Sequence, residues 1–182
     1  MPAQLEWGLE AYVEGRFPGV HPRDTDAIER YHAQLETARR RAERSPLAWG
    51  QSYSLALTAP QPNPRPNSRR VPSVPNLPRI SLRLNKPLQT GVGKMSQVWT
   101  AVEEKTGTTL VLKIIQPSMC PYPKVDRCWS GYMEPADLAH REVWGYERLA
   151  LKQGLLVPYF FGLDTVRSNF FFLHGSCTVL VI

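Results

Sequence analysis

With 182 residues, the chain has room for one ordinary domain, or for a domain of about 100 residues with appendages. Uneven composition favours the second: seven of the 17 prolines fall between positions 60 and 78, and six cations with no acid at 58–88 equal the whole net charge of +6. A basic field spread over the molecule and aimed at nucleic acid is therefore not indicated, and the three cysteines, odd in number and without a CxxC pair, suggest neither a disulfide framework nor a zinc ribbon.

Asp24 or Thr25 can cap a helix expected to reach about Arg44. Ala27, Ile28, Tyr31, Leu35 and Ala38 recur at helical spacing, and Ser45-Pro46 stops the pattern. Arg39, Arg40, Arg41 and Arg44 gather at its far end, where the helix dipole favours cations. A solvated helix end explains them more simply than a nuclear-import or phosphate-binding patch. Leu5, Trp7, Leu9, Tyr12 and Phe17 are candidates to pack on this helix, so residues 1–57 read as a helical extension without evident chemistry.

Residues 58–79 read as a Pro/Arg-rich flexible linker. The proline spacing forbids helix, and too few apolar groups are present to offset the entropy of ordering. Repeated Xaa-Pro pairs would also suit a docking peptide for an aromatic groove, with a plain spacer as the simpler reading.

Beyond Ile80 the texture changes to alternation and turns. Ile80, Leu82 and Leu84 alternate with Ser81, Arg83 and Asn85 as a half-buried strand does. Residues 98–103 form a second expected strand, Glu104-Lys105-Thr106-Gly107 a turn, and residues 108–115 a third strand, together an antiparallel meander. A proline-interrupted insertion at 116–133 precedes a helix expected to open at Glu134-Pro135 and end near Lys152-Gln153, with Gly154 as its left-handed cap. Residues 157–161, and either 170–173 or 178–182, read as further strands. The expectation for 80–182 is an α+β domain: a five-stranded antiparallel sheet with one packed helix.

Between the first two of these strands lies Gly91-Val92-Gly93-Lys94-Met95-Ser96-Gln97-Val98. Glycines at such a turn let backbone amides approach phosphate oxygens with no Cβ in the way, although glycine hairpins are common and the pattern alone decides little. Lys113 follows in Val111-Leu112-Lys113-Ile114. A lysine in so apolar a strand is costly unless its ammonium meets a phosphate or a carboxylate. On a helical wheel Glu142 shares a face with Leu138, Tyr146 and Leu149, whereas Glu147 points the other way, so Glu142 is the carboxylate expected to meet Lys113.

Together the glycine run, the Thr106-Gly107 turn, the Val-Leu-Lys-Ile strand and the helix bearing Glu142 resemble the amino-terminal, ATP-binding lobe of eukaryotic protein kinases, over roughly residues 80–182. The resemblance implies that Gly91, Val92, Gly93 and Ser96 cover the phosphates of ATP. It implies further that Lys113 grips them, that Glu142 holds Lys113, and that Val98 and, more loosely, Leu112 wall the adenine pocket. Ser96 stands where the third glycine falls, and Thr90 where an aliphatic residue usually precedes the first. A lengthened connection like the one at 116–133 is similar to those of some fungal kinase-like proteins.

The same resemblance implies what this chain lacks. Magnesium and the acceptor hydroxyl are handled in kinases by a second lobe carrying the catalytic-loop and DFG residues. His140-Arg141-Glu142 imitates the first only in letters, and Phe160-Phe161-Gly162 lacks the aspartate of the second. Residues 179–182 resemble the strand leading into the kinase hinge, where the sequence stops. The expectation is an ATP-binding lobe, weak or vestigial in affinity and inactive by itself. The alternative is a non-catalytic, kinase-derived module that binds a protein through the surface a second lobe would cover. Tyr159, Phe160, Phe161 and Phe170 to Phe172 are expected to contribute to that surface. Cys120, Cys128 and His140 match no zinc spacing. Without an export segment or an apolar run long enough to span a bilayer, a soluble cytoplasmic or nuclear protein is expected.

Overall fold

Alternating burial along the strands determines how the chain is layered. In a computed structural model, which describes residues 25–119, 135–167 and 176–182, helix α1 (Thr25–Arg44) is followed by β1 (Ser52–Leu55), β2 (Ile80–Gln89), β3 (Gln97–Glu103) and β4 (Thr109–Ile115). A 3-10 turn (Pro117–Met119) comes next, then α2 (Pro135–Arg148), a second 3-10 turn (Ala150–Lys152), β5 (Gly162–Arg167) and β6 (Ser176–Val181). The strands form a single sheet in the order β1-β2-β3-β4-β6-β5, with every neighbouring pair antiparallel.

The expected α+β class and antiparallel sheet are present, but with six strands among the described residues instead of five. β1 is the addition. It lies inside the stretch read as a helical extension, and it pairs along its whole length with β2, Leu55 facing Ile80 and Ser52 facing Arg83. Tyr53 and Leu55 turn inward while Ser52 and Ser54 face solvent, so even four residues show the period of two.

The outer strands β1 and β5 approach each other and nearly close the sheet into a barrel. The Thr58 amide donates to the Phe161 carbonyl at 2.8 Å. Asp164 Oδ2 accepts from the Ala56 amide at 2.8 Å and from Arg79 Nη2 at 2.9 Å. Leu55, Leu82, Leu84, Trp99, Leu112 and Phe161 fill the interior. Each buried side chain of this size contributes about 1.5–3 kcal/mol of transfer free energy. On the outer face of β4 and β6, Ile115 and Leu180 meet Ala139, Leu138 and Val143 of α2 in a second, smaller core.

Two boundaries differ from expectation. α2 ends at Arg148, because Gln153 Nε2 caps the Tyr146 carbonyl at 3.0 Å and the chain tightens into the second 3-10 turn. Gly154 does adopt the left-handed conformation, φ +75°, and a Cβ there would fall 2.4 Å from the Tyr159 hydroxyl. The strand expected at 157–161 starts only at Gly162: Pro158 has no amide to offer, and the Phe160 amide goes to Gln153 Oε1 at 2.9 Å. Tyr159 and Phe161, expected on an open surface, are buried, and Phe160 is half-buried. The expected strand at 170–173 lies outside the described residues. Among the described residues, no helix is long and apolar enough to cross a membrane.

Candidate functional site

β4 alternates strictly. Leu110, Leu112 and Ile114 point into the barrel, which leaves Val111, Lys113 and Ile115 on the face toward α2. Register places Lys113 between Val98 of β3 and Leu180 of β6, so the lysine rises from an apolar row. Its ammonium forms an ion pair with Glu142 Oε1, twenty-nine positions later on α2. The side chains are 26 % and 21 % exposed. The pair is therefore partly desolvated, and removing either partner would leave a poorly compensated charge against the sheet.

α2 presents Glu142 because its sheet-facing stripe is Leu138, Ala139, Val143 and Tyr146, with Glu142 inside that stripe. Tyr146 stacks on Phe160, ring centroids 4.9 Å apart and planes 12° from parallel, which steadies the next turn of the helix. Burial, and then the Glu142 carboxylate, push the Tyr146 hydroxyl above its ordinary range.

Glycine is required in the turn between β2 and β3 by backbone conformation. Gly91 and Gly93 have φ of +112° and +76°, and a Cβ built on either meets nothing within 4 Å. Val92 is exposed, and Ser96 is buried, its carbonyl accepting from Gln89 Nε2 at 2.9 Å. The Gly93 amide is engaged within the protein: it donates to the Met119 carbonyl at 2.9 Å. Met119 ends the first 3-10 turn, whose Ser118 carbonyl accepts from Arg39 Nε of α1 at 2.8 Å. Beneath it, Gln97 Nε2 donates to Gln116 Oε1 at 3.1 Å and Gln116 Nε2 to Ser118 Oγ at 3.3 Å, a buried polar relay.

The structure thus brings together Lys113, Glu142 and Val98. It holds Gly91, Val92, Gly93 and Ser96 at the end of the strand that carries Val98, tied toward Met119. Leu112 does not belong with them. It is fully buried in the barrel on the opposite side of the strand from Lys113. The residue sharing the face of Lys113 is Val111, whose amide and carbonyl bond Ile182 at 2.7 and 2.9 Å. Strand alternation alone would have picked Val111. Arg39 and the Gln97–Gln116–Ser118 relay carried no sequence signal, because their contacts span up to 79 positions. Among the described residues, no group of three or more His, Cys, Asp and Glu side chains could hold a metal ion. Neither a family model, nor a curated protein, nor a solved structure matches this chain.

Proposed function

We propose that this chain is a protein-kinase-like ATP-binding lobe, with Lys113 as the cation for the nucleotide phosphates, Glu142 as the group that aims it, and the turn at Gly91 and Gly93 as the flap above. The observation that carries this reading is the ion pair between a lysine in an apolar strand and a carboxylate on the packed helix. An ammonium has three donors, so one bond to Glu142 leaves others for phosphate oxygens. Val98 and Val111 offer an apolar wall on the same face for a flat base. Magnesium would be held together with a second lobe, since the chain has no DFG triplet and its only HRD-like triplet ends in Glu142.

Affinity should be weak, because the Gly93 amide already has a partner in Met119. Calorimetric titration of the folded 182-residue chain with ATP and Mg²⁺ tests the reading. Saturable binding is expected, falling about tenfold or more with Lys113→Met and less with Glu142→Gln, with no phosphate transfer to protein. Affinity unchanged by Lys113→Met would remove the assignment.

A second reading, a non-catalytic module that binds protein, is favoured by Trp144, Leu151 and Leu156, which are 56 %, 71 % and 78 % exposed on α2 and just past it. A stoichiometric partner whose binding survives Lys113→Met would separate it from the first.

A further inference from the structure

The connection from β1 to β2 is far longer than its task requires. Leu55 and Ile80 are paired across the two antiparallel strands, so a hairpin loop of about 2–5 residues would join them. Instead the 24 residues 56–79 intervene without helix or strand. Both ends lie in the same sheet, so this segment separates no two bodies and cannot be serving as a spacer. Ordered, structureless loops of more than about 12–15 residues are uncommon in compact domains and usually carry function.

Within it the sequence has a period of three. Arg69, Pro72, Pro75 and Pro78 recur at every third position, and Val71, Val74 and Leu77 do the same. That is the repeat of the left-handed polyproline helix, three residues per turn with no internal hydrogen bonds. Over residues 71–76 burial follows the same period, which ends where the Leu77 amide turns back to the Pro75 carbonyl at 3.0 Å and leaves Leu77 and Pro78 exposed. Val71 and Pro72 are half-buried and Ser73 exposed, then Val74 and Pro75 are half-buried and Asn76 exposed. Val71 and Val74 pack against the barrel core. Two edges of the polyproline prism therefore lie on the barrel, and the third faces water.

The two covered edges are the ones that aromatic-lined grooves read. Domains of the SH3 type grip successive apolar-Pro pairs of a polyproline helix and use acidic groups at the rim to select a basic residue at one end. Val71-Pro72 and Val74-Pro75 are such pairs, and Arg69, exposed, stands three positions before the first proline. No acid occurs anywhere in residues 58–88 to oppose such a rim.

The barrel holds this segment by a few removable contacts. The Arg69 amide donates to the Gly154 carbonyl at 2.8 Å, the Tyr159 hydroxyl donates to the Arg69 carbonyl at 2.7 Å, and Thr108 Oγ1 donates to the Ser73 carbonyl. We propose that residues 69–75 are a ligand for an SH3-type domain of a partner protein, kept in reserve by the barrel, which occupies the same two edges until the partner displaces it. The two states compete for Val71 and Val74, so apparent affinity is lowered by the fraction of molecules in which the segment is docked, and anything that loosens docking raises it. This proposal does not depend on the nucleotide reading.

The test is fluorescence anisotropy of labelled SH3 domains, chosen from those that read Arg-x-x-Pro-x-x-Pro, titrated with the full 182-residue chain. Binding is expected for the native chain, and Arg69→Glu or the pair Pro72→Ala and Pro75→Ala should weaken it at least tenfold. Tyr159→Phe keeps the ring but loses the bond to Arg69 and the one accepted from the Asn63 amide, and it should tighten binding about five-fold. Circular dichroism establishes that each variant is folded. Absence of binding by both the native chain and Tyr159→Phe would overturn the proposal. So would binding indifferent to the two prolines, or a Tyr159→Phe variant that binds no more tightly than the native chain.

Discussion

β3 passes to β4 through the five residues 104–108, and β1 passes to β2 through the 24 residues 56–79; each connection joins antiparallel neighbours whose ends are paired. The short one is organised around one side chain. Glu103, 1 % exposed, accepts at Oε2 from the Lys105 amide at 3.0 Å, the Thr106 amide at 2.7 Å and the Thr106 hydroxyl at 2.8 Å. The long one is held at scattered points, by the side chains of Asn63 and Tyr159, by Val71 and Val74 on the barrel, and by the Asp164 bridge near its ends. A turn that carries its own chemistry depends on one residue, whereas a loop that borrows the surface beneath it spreads its stability over many.

That contrast has a precondition, which is that β1 belongs to the core and makes residues 56–79 a hairpin connection at all. Leu55 is completely buried among Leu82, Phe161 and Val181 in the barrel interior. Leu55→Ala is expected to cost about 2–5 kcal/mol in chemical denaturation, the usual range for a buried leucine whose site cannot collapse. A loss below about 1 kcal/mol would mean that β1 is an accessory edge, and the comparison would fail at its root.

The next effect concerns the short turn. Burial pushes the Glu103 carboxyl up, but the amide and hydroxyl of Thr106, the Lys105 amide and the Lys105 charge together outweigh it and hold the group below its ordinary range. A carboxyl with a lowered folded value stabilises the protein above its unfolded value, about 4.3, and loses that contribution as pH falls through the folded value. Glu103→Gln should therefore lower stability by about 1.5–3 kcal/mol at neutral pH, the range for hydrogen bonds to a charged group. The difference from the native chain should shrink steadily in acid. Urea midpoints at pH 7 and pH 3 measure it, and a gap independent of pH would show that the carboxylate charge is not what organises the turn.

The same division between local and borrowed order governs what could be read from the sequence. Lys113 and Glu142 were legible because each carries its constraint locally: an ammonium in an apolar strand needs a counter-charge, and helical periodicity selects the carboxylate that faces it. The turn at Glu104-Lys105-Thr106-Gly107 was legible for the same reason, with Gly107 at φ +72°. β1 was not, since Ser52-Tyr53-Ser54-Leu55 is too short for alternation to stand out, and it becomes a strand through its pairing with β2. The hydrogen bond from Gly93 to Met119 was equally invisible, because it depends on where the chain after β4 turns back. Residues 69–76 held their period of three in plain view, but their place on the barrel depends on Gly154, Tyr159 and Thr108, none of which is near them in sequence.

The smallest expected effect is the one that bears most directly on the long connection. Asn63 Nδ2 donates to the Gln153 carbonyl at 2.8 Å and to the Leu151 carbonyl at 3.1 Å, while its Oδ1 accepts from the Arg65 amide at 3.1 Å. With three bonds it equals Arg79 as the most connected side chain in the loop, a position comparable to that of Glu103 in the turn. If stability there is distributed, Asn63→Ala should cost only about 1 kcal/mol globally, since Val71, Val74 and Tyr159 keep the rest of the segment in place and the freed carbonyls can reach water. Local opening should change more than global unfolding: hydrogen exchange at the Arg69 amide, bonded to Gly154 on the same stretch of barrel surface, should quicken several-fold while amides in β3 and β4 keep their native rates. A loss as large as that of Glu103→Gln, shared equally by the sheet amides, would show that the long loop also hangs on one residue.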